Sequence, residues 1–275
     1  MKKILSIVLA ALLCVSLFAA CGNNAATNGN ETPSNTENNT NTETAKFTTV
    51  EEGKLIMATN AFFPPYEYYE GEKIVGIDAE IAEAIAKKLG LELVINNMEF
   101  NSIITAVATG AADFGLAGMT VTEDRLKEVD FSISYASGVQ AIVVKEGSAI
   151  ATVDDLYAEG ANQKIGVQLG TTGDIYASDD FGSDRVTQYN NGNEAILALQ
   201  KGDIDCVIID NEPAKAFVAA NEGLKVLDTA YAEEDYAACF AQSNDALCAA
   251  VNNAIEELIS DGTIDGIIEK YIPTK

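Results

Sequence analysis

One fifteen-residue pattern occurs twice in this chain, 92 residues apart. Ile104-Thr-Ala-Val-Ala-Thr-Gly110-Ala-Ala-Asp113-Phe-Gly-Leu-Ala-Gly118 aligns without a gap on Ile196-Leu-Ala-Leu-Gln-Lys-Gly202-Asp-Ile-Asp205-Cys-Val-Ile-Ile-Asp210. Each copy reads as a helix, a glycine, two residues, an aspartate and a buried strand. The first copy closes a series of strand 55–59, helix 78–89, strand 91–95, helix 102–109 and strand 114–118. The second closes strand 164–168, a helix from Gly173, strand 185–188, helix 194–201 and strand 206–209. A βαβαβ order demands a parallel, doubly wound sheet. The expected fold class is therefore α/β, with two doubly wound lobes.

The alignment makes Gly118 and Asp210 equivalent positions at the carboxyl ends of equivalent strands. Open α/β sheets bind ligands there, so two facing lobes form a cleft with one position from each side. The pattern continues with a strand at 236–241 and amphipathic helices at 246–259 and 264–271, split by Asp261-Gly262. A return to the first lobe gives two extended crossovers, near 139–144 and 236–241, which together make a two-strand hinge. Lobe 1 is expected to comprise 47–139 and 234–275, and lobe 2 140–233.

Composition narrows the chemistry. Forty-two acidic against 17 basic residues leave a formal charge of −25, which repels phosphate backbones and argues against nucleic acid. The absence of histidine removes Ser-His-Asp and Cys-His catalysis and His-ligated zinc. Nothing calls for a metal or a cofactor. Tryptophan is absent too, so an aromatic platform must be Phe or Tyr. The only arginines are Arg125 and Arg185.

The N-terminus is an address. Lys2 and Lys3 precede an apolar run from Ile4 to Ala20, ending in small residues before Cys21, the plan of an export signal. Residues 1–20 are read as a lipoprotein signal peptide, because Cys21 stands where bacterial lipoproteins carry their acylated cysteine. Residues 21–46, rich in Asn and Thr, lack the apolar surface to fold; they are read as a tether of about 25–30 Å r.m.s. reach. Cys206, Cys239 and Cys248 lie in apolar or amphipathic stretches and read as small buried hydrophobes, although a Cys239–Cys248 bridge is compatible with an exported protein.

Six segments carry a resemblance. They are Ala58-Thr-Asn-Ala-Phe-Phe-Pro-Pro-Tyr-Glu67, Val75-Gly-Ile-Asp-Ala-Glu-Ile81, Phe100-Asn-Ser-Ile-Ile104, Ala117-Gly-Met-Thr-Val-Thr-Glu-Asp-Arg125, Val129-Asp-Phe-Ser132 and Gly166-Val-Gln-Leu-Gly-Thr-Thr172. In this order and spacing the chain resembles the polar-amino-acid solute-binding proteins of ABC importers, over residues 47–275. The resemblance implies a periplasmic-binding-protein type II fold, a monomer, and no enzymatic activity. It also implies an extracytoplasmic site of action, lipid-anchored to the outer face of the cell membrane through Cys21. There the protein delivers a free L-amino acid to an ABC permease.

An amino-acid zwitterion needs a bidentate cation and converging N–H groups for its carboxylate. By resemblance Arg125 is the clamp, in place of simple surface pairing with Glu123, Asp124 or Glu128. Thr171 and Thr172 open a helix whose free N–H groups donate to anions. For the ammonium, the resemblance implies the Gly118 carbonyl, the Thr120 hydroxyl and the Asp210 carboxylate, although Asp210 also suits an N-cap. Ala117 and Met119 flank Gly118 in the same segment. Phe63 and Phe100 match the pair that sandwiches the ligand side chain; Tyr66 and Tyr135 are assigned to packing. The resemblance also places Asn60, Gln168 and Ile209 toward the ligand side chain. Relatives that take basic ligands often carry a carboxylate at the position of Asn60, and a buried cation without a counter-ion is expensive. A neutral ligand, glutamine first, is therefore expected unless Glu67 or Asp78 reaches the pocket.

The alternative is a dehydratase-type enzyme on this scaffold, which needs a dedicated acid. First-turn helix acids such as Asp78 are usually partners of the helix dipole, and an export signal does not suit a biosynthetic enzyme. A receptor sensing domain would need a membrane and signalling segment after Lys275, and that alternative is not expected.

Overall fold

In the computed structural model, which describes residues 47–273, the chain begins with β1 (Lys54–Thr59). A small antiparallel sheet of β2 (Phe62–Phe63), β3 (Glu67–Glu70) and β4 (Lys73–Val75) follows, then α1 (Ile77–Leu89) and β5 (Glu92–Asn97). A 3-10 turn at Phe100–Ser102 runs into α2 (Ile103–Ala108), which leads to β6 (Phe114–Gly115). After another 3-10 turn at Arg125–Lys127 comes the long strand β7 (Val129–Lys145). The next stretch holds α3 (Asp154–Tyr157), β8 (Ile165–Gln168), α4 (Thr172–Phe181), β9 (Val186–Tyr189) and α5 (Gly192–Lys201). It ends with β10 (Cys206–Asp210), α6 (Asn211–Ala220) and β11 (Leu224–Val226), before β12 (Ala232–Ala241), α7 (Asp245–Ser260) and α8 (Thr263–Tyr271) complete the chain.

Both lobes share one sheet, ordered β5-β1-β6-β12-β7-β10-β8-β9, with β11 also on β7. Pairing is parallel within β5-β1-β6 and within β10-β8-β9, and antiparallel where β12 and β7 cross. These two strands form the hinge. Their register shifts at Tyr236/Ala237 and again between Ala237 and Cys239, and such bulges bend a strand.

Strands apolar on both faces must be covered on both. Leu55 and Met57 of β1 enter one core cluster, Ile56 and Ala58 another. Likewise Val207 and Ile209 of β10 pack on the side of α5 and α6, while Cys206 and Ile208 pack beside Ala177 of α4. This is the doubly wound arrangement expected of the two series.

The repeated pattern has a physical cause. Gly110 and Gly202 both take the left-handed conformation (φ 74° and 86°) that ends a helix. Each aspartate then accepts backbone N–H groups at the start of the neighbouring parallel strand. Asp113 bonds Ile56 at 2.6 Å and Val50 at 2.7 Å; Asp205 bonds Lys164 at 2.7 Å. Gly-x-x-Asp thus turns the chain and pins the adjoining strand.

Some elements differ from expectation. β6 stops at Gly115 rather than Gly118, because the chain must turn into a left-handed Gly118 (φ 52°). β7 starts at Val129, ten residues before the expected crossover, since its first half alternates apolar and polar residues instead of forming an apolar run. The β2-β3-β4 sheet was not anticipated; its strands are two to four residues long. Cys206, Cys239 and Cys248 are free thiols, the first two buried, so no Cys239–Cys248 bridge forms. The signal peptide, the tether and Cys21 lie outside the described residues, among which no helix is long and apolar enough to cross a membrane.

Candidate functional site

Four strand ends meet in one pocket. In the order β5-β1-β6 the chain leaves β1 on one side and returns on the other, so the topological switch lies between β1 and β6; in the other half it lies between β8 and β10. Ligands bind outside the carboxyl ends of strands at such points. Asn60 follows β1, and Ala117, Gly118 and Thr120 follow β6. Gln168 ends β8, Thr171 and Thr172 open α4, and Asp210 ends β10. All of them line one pocket together with Phe63, Glu67, Phe100 and Arg125, drawn in to about 20 Å³ of enclosed space.

Arg125 supplies the pocket's positive charge. It is 6% exposed and donates from Nη1 to the Thr120 carbonyl (2.6 Å) and from Nη2 to the Gly170 carbonyl (3.0 Å). Its guanidinium carbon lies 5.4 Å from the Phe100 ring centre. Among the described residues it has no carboxylate partner; Asp124 pairs instead with Lys127. Surface pairing is thereby ruled out. Burial lowers the guanidinium pKa, and a buried cation with no counter-ion is a site for an anion.

The opening turn of α4 lies beside it. Thr171 caps the helix, accepting the Asp174 N–H at 3.3 Å, and donates its own hydroxyl to the Gln168 carbonyl at 2.8 Å. Asp174, buried, accepts the Gly170 N–H at 2.9 Å. This carboxylate, absent from the expected site, fixes the carbonyl-bearing loop that Arg125 touches.

The acidic end is built across the hinge. Asp210 stands at the N-cap of α6 but makes no capping bond. Its carboxylate accepts instead from Gln140 Nε2 at 2.8 Å and from the Tyr236 hydroxyl. The same Gln140 nitrogen donates to Glu234 at 3.0 Å. Burial, and then the charge of Glu234, push the Asp210 pKa up. Gln140 and Tyr236 come from β7 and β12, and only the tertiary fold joins them to the site.

Asp78 departs from its expected role. It does lie in the first turn of α1, yet it is fully buried, and its Oδ2 accepts the Gly118 N–H (2.8 Å) and the Tyr135 hydroxyl (2.9 Å). It holds Gly118 in place, and Tyr135 is a hydrogen-bond donor as well as a packing residue. Burial raises the Asp78 pKa to about 6, against the opposing pull of these two donors.

The side-chain end combines polar and aromatic groups. Gln168 Nε2 donates to Asn60 Oδ1 at 2.9 Å, and Asn60 Nδ2 to the Met98 carbonyl at 2.7 Å. Phe63 stacks on Tyr66 with ring centres 5.6 Å apart. Glu67 is fully buried on β3 and lines the pocket, and neither of its carboxyl oxygens has a hydrogen-bond partner. Met119 and Ile209 are buried in the core and do not line the pocket. Arg185 is committed elsewhere, to Gln163 and the Leu156 carbonyl.

Comparison with known proteins gives a consistent result. The family model of the bacterial extracellular solute-binding proteins, family 3, matches residues 55–274. The arginine-binding extracellular protein ArtP of Bacillus subtilis (strain 168) is 34% identical over 223 residues, covering 79% of this chain and 86% of that protein. The ABC transporter glutamine-binding protein GlnH of the same strain is 31% identical over 278 residues, covering 99% and 98%. An ancestral arginine-binding protein solved bound to glutamine superimposes with a TM-score of 0.76 at 38% identity, covering 82% of this chain and all of that one.

Proposed function

The chain belongs to the bacterial extracellular solute-binding proteins, family 3, an extracytoplasmic binding protein and not an enzyme, and on that premise we propose that it captures a free L-amino acid between its lobes and delivers it to an ABC permease. The observation that carries this reading is the pairing of opposite charges in one pocket. Arg125, buried and without a carboxylate, faces the α-carboxylate; Asp210, also buried, with Thr120 and the Gly118 carbonyl, faces the α-ammonium. Thr171 and Thr172 add N–H donors at the start of α4. The lobes thus each hold part of the zwitterion, and the closed form is the one a permease reads. Lipidation at Cys21, with residues 21–46 as tether, keeps a monomeric receptor beside that permease.

The side chain of the ligand is the finer question. A neutral ligand was expected provided that no carboxylate reached the pocket, and Glu67 reaches it. With Arg125 matched to the carboxylate and Asp210 to the ammonium, Glu67 supports a cationic side chain, the class named for the arginine-binding ArtP. A neutral polar side chain, glutamine first, keeps the support of the Asn60–Gln168 amide pair and of the glutamine-binding GlnH. A thermal-shift screen against the common L-amino acids tests the proposal. A ligand at a hundred times its Kd stabilises the native state by about 2.7 kcal/mol. If no L-amino acid raises the melting temperature or gives binding heat, the reading fails.

A further inference from the structure

Glu67 and Asp78 are neighbouring carboxyls, within side-chain hydrogen-bond reach of each other, with very different surroundings. Asp78 Oδ2 has two donors, the Gly118 N–H and the Tyr135 hydroxyl. Asp78 Oδ1 and both Glu67 oxygens have none, although all three are buried. Among the described residues no lysine or arginine pairs with either group, and no cluster of ligands suits a metal ion. The titratable groups facing the pair are the Asp210 carboxyl and the Tyr66 and Tyr135 phenols. None of these brings a positive charge, and the one cation lining the pocket, Arg125, binds carbonyls instead.

Two buried carboxylates side by side repel, and one proton between them removes both the repulsion and most of the unmet hydrogen bonding. Of the two, only Glu67 lines the pocket. Resting on the amino-acid reading above, we propose that Glu67 and Asp78 hold one proton in common in the empty pocket, and that a cationic side-chain terminus of the ligand expels it. The ligand's N–H groups then take the place of that proton on Glu67, and the proton leaves to solvent. A neutral polar side chain leaves the proton where it is and bonds to the protonated pair. Burial raises both groups above the ordinary carboxylate range; the charge of Asp78 raises Glu67 further, while the hydrogen bond from Glu67 holds Asp78 lower, so the proton rests mainly on Glu67.

The pocket therefore selects its ligand class by pH. Affinity for a cationic side chain rises with pH by up to about tenfold per unit while the pair keeps its proton. Affinity for a neutral one lacks that dependence.

Calorimetry of the full chain near pH 7, in phosphate and in Tris, counts the protons from the difference in buffer ionisation heat. The probes are L-arginine and L-glutamine. Arginine is expected to release about one proton more than glutamine. In Glu67→Gln that extra proton disappears, and arginine binding falls at least tenfold and loses its pH dependence. Equal proton release for the two ligands overturns the proposal, as does an extra proton that survives in Glu67→Gln. Binding of glutamine but not arginine also overturns it and leaves the amino-acid reading standing; if no L-amino acid binds, both fall. Should Glu67→Gln fail to fold, the two-buffer comparison on the unmutated chain decides alone.

Discussion

Gln168 reaches across the cleft to Asn60, its Nε2 lying 2.9 Å from Asn60 Oδ1. The two side chains end β8 in one lobe and follow β1 in the other, so a single amide–amide bond ties the lobes together over the pocket. Arg125 makes a second tie to the Gly170 carbonyl. The structure is thus the closed form, held by groups that are also offered to the ligand.

Removing one tie shifts the balance between open and closed forms. A hydrogen bond contributes about 1 kcal/mol net, so Gln168→Ala increases the open population of the unliganded protein about fivefold. Small-angle scattering measures this as a larger radius of gyration without ligand. An unchanged radius means that the bond does not govern closure.

Arg125→Ala keeps the fold and lowers amino-acid affinity by about a hundredfold or more, since removing one partner of a buried charge pair costs about 2–5 kcal/mol. Arg125→Lys recovers little, because an ammonium lacks the bidentate fork and cannot reach the Thr120 and Gly170 carbonyls together. Calorimetry giving near-wild-type affinity for the alanine variant moves the carboxylate site elsewhere.

Gly118 admits no side chain. A Cβ there would stand 2.7 Å from Phe63 Cε1, in a backbone conformation with φ 52° that disfavours other residues. Gly118→Ala therefore displaces Phe63 from the pocket wall and costs about 1–3 kcal/mol of stability in backbone strain. Denaturant melts read the stability and calorimetry the affinity; both are expected to fall together.

The unliganded protein is expected to be more stable at mildly acidic than at alkaline pH. Asp78 has a folded-state pKa raised from 3.8 to about 6. Its contribution is therefore full below its unfolded value and is lost as pH rises through about 6, amounting to about 3 kcal/mol. Glu67 and Asp210 are raised as well and act with the same sign. Melting temperatures taken between about pH 4.5 and 8.5 should decline on the alkaline side, with the decline reduced in Asp78→Asn. A curve rising steadily to alkaline pH contradicts this.

Cys21→Ser is expected to move the protein from the membrane fraction to the soluble extracytoplasmic fraction, because anchoring takes two lipid signals and a diacylglyceryl cysteine provides them. Fractionation with an antibody reads the outcome. Equal retention of the serine variant rejects the anchor.

Much of this was legible in local pattern. The offset repeat marked Gly118 and Asp210 because in both copies Gly-x-x-Asp places a turn before a strand, and the resemblance of the segment 117–125 singled out Arg125 from the two arginines. What escaped detection depends on contacts between distant segments. Asp78 reads as a helix-dipole partner until the chain folds Gly118 and Tyr135 against it. Glu67 entered only as a condition on the ligand class, because its run of Tyr and Glu does not show that the β2-β3-β4 sheet buries it at the pocket. Gln140, Glu234 and Tyr236 meet Asp210 only because β7 and β12 cross side by side, and no spacing in the sequence records that pairing.

The position of β12 also dictates an order of assembly. The strands β8, β9 and β10 find their partners within a short stretch of chain, apart from β7, which has already been made. The first lobe cannot do so: Phe114 and Gly115 of β6 wait for Phe240 and Cys239, and α1 waits for α7, to which Lys88 is tied through Glu257 at 2.9 Å. Contacts so far apart along the chain form late. The middle of the chain therefore folds first, and the C-terminal segment closes the half that was begun at the start. Until it arrives, β6 and the first part of β7 present bare edges, the kind of surface on which chains aggregate. A chain that reached the far side of a membrane unfolded would stay in that condition until β12 arrived.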